Sequence, residues 1–313
     1  MKMTLFQEKI SHPGQAAVSA SAFKKPSLWR QSLRRLLRNK LAVSGFIVVA
    51  FMFIACFLGP LFSPYADNKI NMALMNRPPS WQHWLGTDKL GRDVLVRVLQ
   101  AGRISLTVGL ASMVVSVFLG TLLGAIAGYY RGVVDQIIMR LADLLLTIPG
   151  LPLLFISGAL LSEWKVPTEY RMYIVMLMLS LVNWPGLARM IRGQMLSLRE
   201  REFMQAAVVL GLRDRRKLIH HLLPNLMPLI IVMATLNIGG SILSESVLSF
   251  FGLGVMPPTP TWGNMIDAAN NMIDFQQHPW LWIPPGLSIF ATVIAINLFG
   301  DGLRDVLDPK LNR

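Results

Sequence analysis

The chain carries apolar runs of about 20 residues with hardly a charge in them, and this restricts it to very few folds. A bilayer offers no water to the backbone, so such a run must satisfy its own amides and carbonyls as a helix. Residues 41–62, 104–130, 136–162, 172–188, 222–251 and 281–300 give six spans. The expected fold is an all-α integral membrane protein of six transmembrane helices. Its 53% hydrophobic and 15% charged content fits no ordinary soluble domain.

Charge gives the orientation. The formal net charge is +13, and most of the excess lies before residue 41 and between Arg189 and His221. Basic residues accumulate on the cytoplasmic side of a membrane. Both termini and the 189–221 segment are therefore expected in the cytoplasm. Residues 1–27 read as a mobile tail. Lys24, Lys25, Arg30, Arg34, Arg35, Arg38 and Lys40 follow as a basic lead-in, with Leu33, Leu36 and Leu37 on one helical face along the inner membrane surface. No soluble basic domain exists to carry a nucleic-acid function. The expected divisions are 1–40 (tail and interfacial helix), 41–103 (first span and outer segment) and 104–313 (the remaining spans).

Several local readings follow. Trp81 and Trp84 in the outer segment 63–103 suit the headgroup level. Val94, Leu95, Val98 and Leu99 predict a short interfacial helix. Asp88 and Asp93 are expected to offset the nearby Arg92, Arg97 and Arg103. Gly124 and Gly128 form a small-xxx-small pair that favours close helix packing in lipid. Arg140 and Asp143, three apart in the third span, can pair with each other; either a structural pair or a functional intramembrane charge fits. Pro149, Gly150 and Pro152 lie within that span, and Pro185 is expected to bend the fourth. The outer loop 252–280 holds Asp267 and Asp274 but no Lys or Arg. Asn183, Asn237, Glu245 and Asn297 read as helix–helix hydrogen-bonding positions.

The island between the fourth and fifth spans is basic and helix-forming. It runs Arg201-Glu202-Phe203-Met204-Gln205-Ala206-Ala207-Val208-Val209-Leu210-Gly211, then Leu212, Arg213, Asp214, Arg215, Arg216 and Lys217, to Leu223-Pro224. This pattern predicts a short helix with a small-residue face, a glycine reversal and a second short amphipathic helix. An ordinary basic loop is the alternative.

Catalytic chemistry is missing. The chain has no Gly-x-x-x-x-Gly-Lys-Ser/Thr loop, no His-Glu-x-x-His and one cysteine, Cys56. Neither enzymatic activity nor a metal or other cofactor is expected, and the energy for any transport must come from another subunit or a gradient.

The island resembles the cytoplasmic loop of ABC importer permeases, in which Glu-Ala-Ala, three residues and Gly precede an apolar-x-Leu-Pro ending. Ala206, Ala207, Gly211 and Leu223-Pro224 match; Gln205 stands where the family has Glu, and Glu202 lies one turn earlier. Further stretches are similar to the dipeptide/oligopeptide permeases of the C type. These are Leu85-Gly86-Thr87-Asp88, Gly91-Arg92-Asp93, Gly102-Arg103-Ile104-Ser105-Leu106, the run from Glu245 to Gly254, Pro258-x-Pro260-x-Trp262-Gly263, and the run from Gly300 to Pro309. The resemblance implies the type I ABC importer permease fold in a prokaryotic inner membrane. It implies a homologous permease partner, two cytoplasmic ABC ATPase subunits and an extracytoplasmic peptide-binding protein. It implies ATPase coupling through Gln205, Ala206, Ala207, Gly211, Leu212, Arg213 and Asp214. Another cargo (nickel complexes, glutathione, a sugar) and an ATPase-independent carrier are the alternatives; the substrate-contacting residues are left open.

Overall fold

The computed structural model describes residues 34–65 and 70–307. The expected tail 1–27, Lys24, Lys25, Arg30, Leu33 and Asp308-Pro309-Lys310 lie outside the described residues. Within them the protein is helical, with one isolated bridge between Thr87 and Asp93. The long elements are α1 (Lys40–Phe62), α2 (Val94–Tyr130), α3 (Gly132–Thr147), α4 (Gly150–Glu163), α5 (Thr168–Arg199), α6 (Glu202–Val209) and α7 (Asp214–Phe250). After α7 come two short outer helices, α8 (Trp262–Ile266) and α9 (Met272–Gln277), and then α10 (Ile283–Leu307). Five helices are long and apolar enough to cross a membrane: α1, α2, α5, α7 and α10.

The expected third span is divided. α3 and α4 together pass as one crossing but meet at a bend of 83°. Ile148-Pro149 forms the break: Ile148 and Pro149 are both extended, as the residue before a proline prefers, and Pro149 donates no helical N–H. At 1.5 Å per residue, the 16 residues of α3 and the 14 of α4 each cover under about 25 Å. Arg140 and Asp143 do not pair. Asp143 binds Arg189 of α5, and Asp135 binds Arg192 at 2.5 Å, so the acids of α3 fasten it to α5.

Other expectations shift as well. α2 is one helix of 37 residues, about 55 Å long, so Val94–Leu99 is its outer end and not a separate interfacial helix. The interruption at Asn183, Trp184 and Pro185 is no break, since α5 runs on through them. The second amphipathic helix after Gly211 is no separate element, because Asp214–Arg216 runs through a π-helical turn at Lys217–Leu222 into α7.

The helix bundle is held by close backbone approach. α2 and α5 share the most extensive helix contact. A methyl group on Gly124 would lie 2.4 Å from the Ala188 carbonyl, and one on Gly128 would lie 2.7 Å from the Met195 Cβ. Lipid is as apolar as leucine, so apolar burial adds little here, and dispersion between closely spaced backbones must hold the pair. The expected Gly124–Gly128 packing is thus present, with α5 as its partner. Serines reinforce it: Ser180 donates to the Ser112 carbonyl at 3.1 Å.

The outer segment folds on itself. The Asp88 carboxylate accepts from the amides of Leu90 and Arg92 and from the Arg92 Nε, and lies 3.5 Å from Arg97. Asp93 caps α2 through the Val96 amide and binds His83 at 2.8 Å, so it answers a histidine and not an arginine. Lys89 reaches Asp274 of α9 at 2.7 Å, and the Trp280 indole donates to the Thr87 carbonyl. Burial pushes the Asp274 carboxyl up, but the hydrogen bonds from Lys89 and His278 outweigh it and hold the group below its ordinary range.

Two outcomes check this description. Gly124→Ala is expected to lower stability by about 1–3 kcal/mol through overpacking. Gly186→Ala, whose methyl would meet nothing within 4 Å, should be neutral or stabilising; thermal unfolding of both purified variants reads the contrast. Because Asp274 is depressed in the fold, its contribution is complete at neutral pH and fades only below about 3.9, the ordinary carboxylate value. Exchange protection of residues 272–277 should therefore be flat from pH 8 to pH 5 and drop only in stronger acid.

Candidate functional site: the α6 turn and its anchor

α6 is held by two side chains and exposes the rest. Met204 and Ala207, one turn apart, are buried. Met204 belongs to an apolar cluster with Tyr129, Ile191, Met195, Leu222 and Leu226, drawn from α2, α5 and α7. Phe203, Ala206, Val208, Val209 and Leu210 face away from the bundle; Val209 is 87% exposed and Leu210 75%. Ala206 is exposed while Ala207, about 100° further round the helix, is buried, so the small-residue face is not a pair. The presented surface is apolar, with Ala206 as its small member.

The reversal after α6 is set by its backbone. The Gly211 amide donates to the Val208 carbonyl at 2.9 Å and the Leu212 amide to the Ala207 carbonyl at 3.1 Å. This pairing is the Schellman motif, which needs a left-handed residue. Gly211 supplies it with φ +65°. A methyl there would touch nothing, so conformation and not space requires the glycine.

Beyond the turn, Asp214 ties the segment to the bundle. Its carboxylate accepts from the Tyr129 hydroxyl at 2.5 Å and from Lys217 at 2.7 Å. Tyr129 is the inner end of α2. Its ring lies under the Arg199 guanidinium, 5.3 Å from centroid to carbon, and its carbonyl accepts from the same guanidinium. Arg131 pairs with Glu200 at 3.0 Å. The C-terminal ends of α2 and α5 and the start of α7 thus converge on one tyrosine–aspartate contact, with α6 slung between α5 and α7.

The sequence-derived residues divide accordingly. Gln205, Ala206, Gly211 and Arg213 are exposed, Leu212 is half-buried, and Ala207 points inward. Asp214 is exposed but turned to its anchor. The Gln205 amide donates to the Glu200 carbonyl at 3.2 Å, holding the side chain against the preceding turn. Tyr129, Arg199, Lys217 and Met204 complete the site and were not among the expected residues. The one signal for Tyr129 was its place directly after Gly128, one of the glycines at which α2 packs on α5.

Comparisons with known proteins agree on one family. Residues 120–313 match the model for binding-protein-dependent transport system inner membrane components, and residues 27–79 that for the N-terminal transmembrane domain of oligopeptide transport permease C. The chain is 39% identical over 287 residues to the oligopeptide transport system permease protein OppC of Haemophilus influenzae, covering 91% of this chain and 89% of that one. It is 35% identical to the Bacillus subtilis OppC over 310 residues, 99% and 98% of the two chains. It is also 40% identical over 284 residues to the glutathione transport system permease protein GsiD of Pectobacterium atrosepticum, 90% and 91% of the two. These matches cover most of the chain: it belongs to the binding-protein-dependent transport system inner membrane components, the membrane permeases of ABC importers that work with ATPase and substrate-binding partners.

Proposed function

We propose that this chain is the C-type permease subunit of an ATP-driven importer for oligopeptides or dipeptides. It pairs with a homologous permease to form one translocation path. Two cytoplasmic ATPase subunits dock beneath, and an extracytoplasmic binding protein delivers peptide. Both termini belong on the cytoplasmic side, 41–103 hold the first span and the outer segment, and 104–313 form the translocating bundle with its coupling loop at 189–221.

The observation that carries the coupling role is the exposed apolar strip of Ala206, Val208, Val209 and Leu210 on a helix anchored at Tyr129 and Asp214. Apolar side chains exposed on the cytoplasmic side favour a protein partner. A strip fixed to three spans passes displacement to all of them, which a free loop would not. Gln205, Ala206, Gly211, Leu212 and Arg213 border this surface; Ala207 and Asp214 hold it. Peptide cargo is supported by the names of the OppC relatives. The glutathione permease relative, itself carrying a short peptide, favours a path tolerant of small peptides.

Two variants test this. Val209→Asp places a charge at a fully presented position and should leave the permease pair inserted at wild-type abundance. Purified through the permease, it should bring down less than a tenth of the wild-type ATPase, and peptide uptake should fall at least tenfold. Gly211→Val forces a β-branched residue into the left-handed region at about 1–2 kcal/mol, and should lower uptake with insertion intact. Wild-type uptake by Val209→Asp would overturn the coupling assignment. Uptake into liposomes holding the permeases alone would establish the carrier reading instead.

A further inference from the structure

The outer loop between α7 and α8 is attached to the bundle in an unusual way. Glu245 is completely buried on α7, in the outer half of the bundle. Both of its carboxylate oxygens accept serine hydroxyls: Oε1 from Ser249 at 2.7 Å and Oε2 from Ser105 of α2 at 2.9 Å. Each serine in turn accepts a backbone amide from the loop. The Val255 amide donates to the Ser249 Oγ at 3.1 Å, and the Trp262 amide to the Ser105 Oγ at 3.2 Å. A hydroxyl has one proton. With that proton committed to Glu245, its lone pairs are turned to the loop. One carboxylate therefore orients two acceptors, and these hold the loop at both ends.

The surroundings fit a latch. Methyl groups on Gly254 and Gly263 would lie 2.5 Å from the Ser249 Oγ and 2.3 Å from the Ser246 carbonyl, so the loop lies directly on α7 at both attachment points. Between them Pro257 and Pro258 are exposed. Beyond the second point, Trp262 is wholly buried beside Cys56 and Gly102, and its indole donates to the Val98 carbonyl at 3.0 Å. The tryptophan wedges the outer ends of α1 and α2 against α7 and α10.

We infer that Glu245 is the positioning residue of the outer side: through Ser105 and Ser249 it fixes the 252–263 loop and the Trp262 wedge, so that the outer ends of α1, α2, α7 and α10 move as one body. A solute-delivering partner would meet this loop as a fixed feature, and displacement of α6 would reach it through α7 and α2. The transport consequence rests on the function proposed above; the latch does not.

Peptide-resolved hydrogen–deuterium exchange on the complete transporter in nanodiscs, with uptake assayed in parallel, tests the inference. Ser249→Ala should speed exchange in residues 251–256 at least tenfold while leaving 260–264 protected, and Ser105→Ala should do the reverse. Glu245→Ala should free both segments although both serines remain, leave exchange of α6 unchanged, and reduce uptake at least tenfold. If Glu245→Ala does not assemble, the two serine variants decide. Loosening of both segments by either serine variant, or of neither, overturns the latch. Wild-type protection of 251–256 and 260–264 in an assembled Glu245→Ala complex also overturns it. Freed segments with wild-type uptake overturn the positioning role alone. Normal latch exchange together with normal uptake by Val209→Asp would instead locate the failure in the coupling assignment.

Discussion

The structure depends on how closely α2 and α5 can approach. In lipid, leucine gains nothing by leaving the solvent, so two helices stay together only where their backbones come near enough for many weak contacts or for hydrogen bonds. Gly120, Gly124 and Gly128 present a bare edge of α2 to Leu187, Ala188, Ile191 and Met195 of α5. Close packing of this kind is stiff, because neither helix can slide without a clash. α2 exceeds the hydrocarbon thickness by nearly a factor of two, so a stiff α2 links the two faces of the membrane.

The charged side chains along this axis gather at its two ends. Inside, Tyr129 follows the last of these glycines and receives Asp214, Arg199 and, 5.9 Å from its ring, Lys217. Outside, Ser105 joins the Glu245 carboxylate, and Asp88 and Asp93 knot the preceding segment to the helix start. Hydrogen bonds made where water competes weakly are expensive to break, so the buried Glu245 contact ties its neighbours firmly to α2. α3 and α4 are different: they are broken at Ile148-Pro149, α3 is tied to α5 by Asp135 and Asp143, and α4 packs through Leu154 against Val108, Val175, Leu179 and Leu248. A bundle of one stiff axis with a divided helix beside it suits a protein that changes shape as rigid bodies.

Much of this was legible in the sequence, for physical reasons. Apolar length is what a membrane requires, so six runs stood out, five of them single crossing-length helices, and charge asymmetry marked the α6 loop. Gly124 and Gly128 announced a close contact but not its partner, since small residues say only that something approaches. The break at Ile148-Pro149 was hidden because a proline in an apolar run can also sit inside a continuous helix, as Pro185 does in α5. Arg140 and Asp143 looked paired because spacing on one helix is readable and a neighbouring helix is not; Arg189 lay 46 residues away. Glu245 was read as a helix–helix hydrogen-bonding position and is one, but its donor Ser105, 140 residues distant, could not be read from spacing. Gly211 was read correctly, because a left-handed turn is a local property of the chain.

The central claim is that α6 is a cytoplasmic surface on a rigid anchor, engaged by a nucleotide-driven partner. Its most direct test is a single-cysteine labelling measurement. The chain's one cysteine, Cys56, is buried and can be replaced by serine, and Val209→Cys then offers a lone reporter. A membrane-impermeant maleimide should label it in inside-out vesicles and not in right-side-out ones, and assembled ATPase subunits should protect it. Labelling from the outer side, or equal labelling with and without the ATPases, would contradict the account.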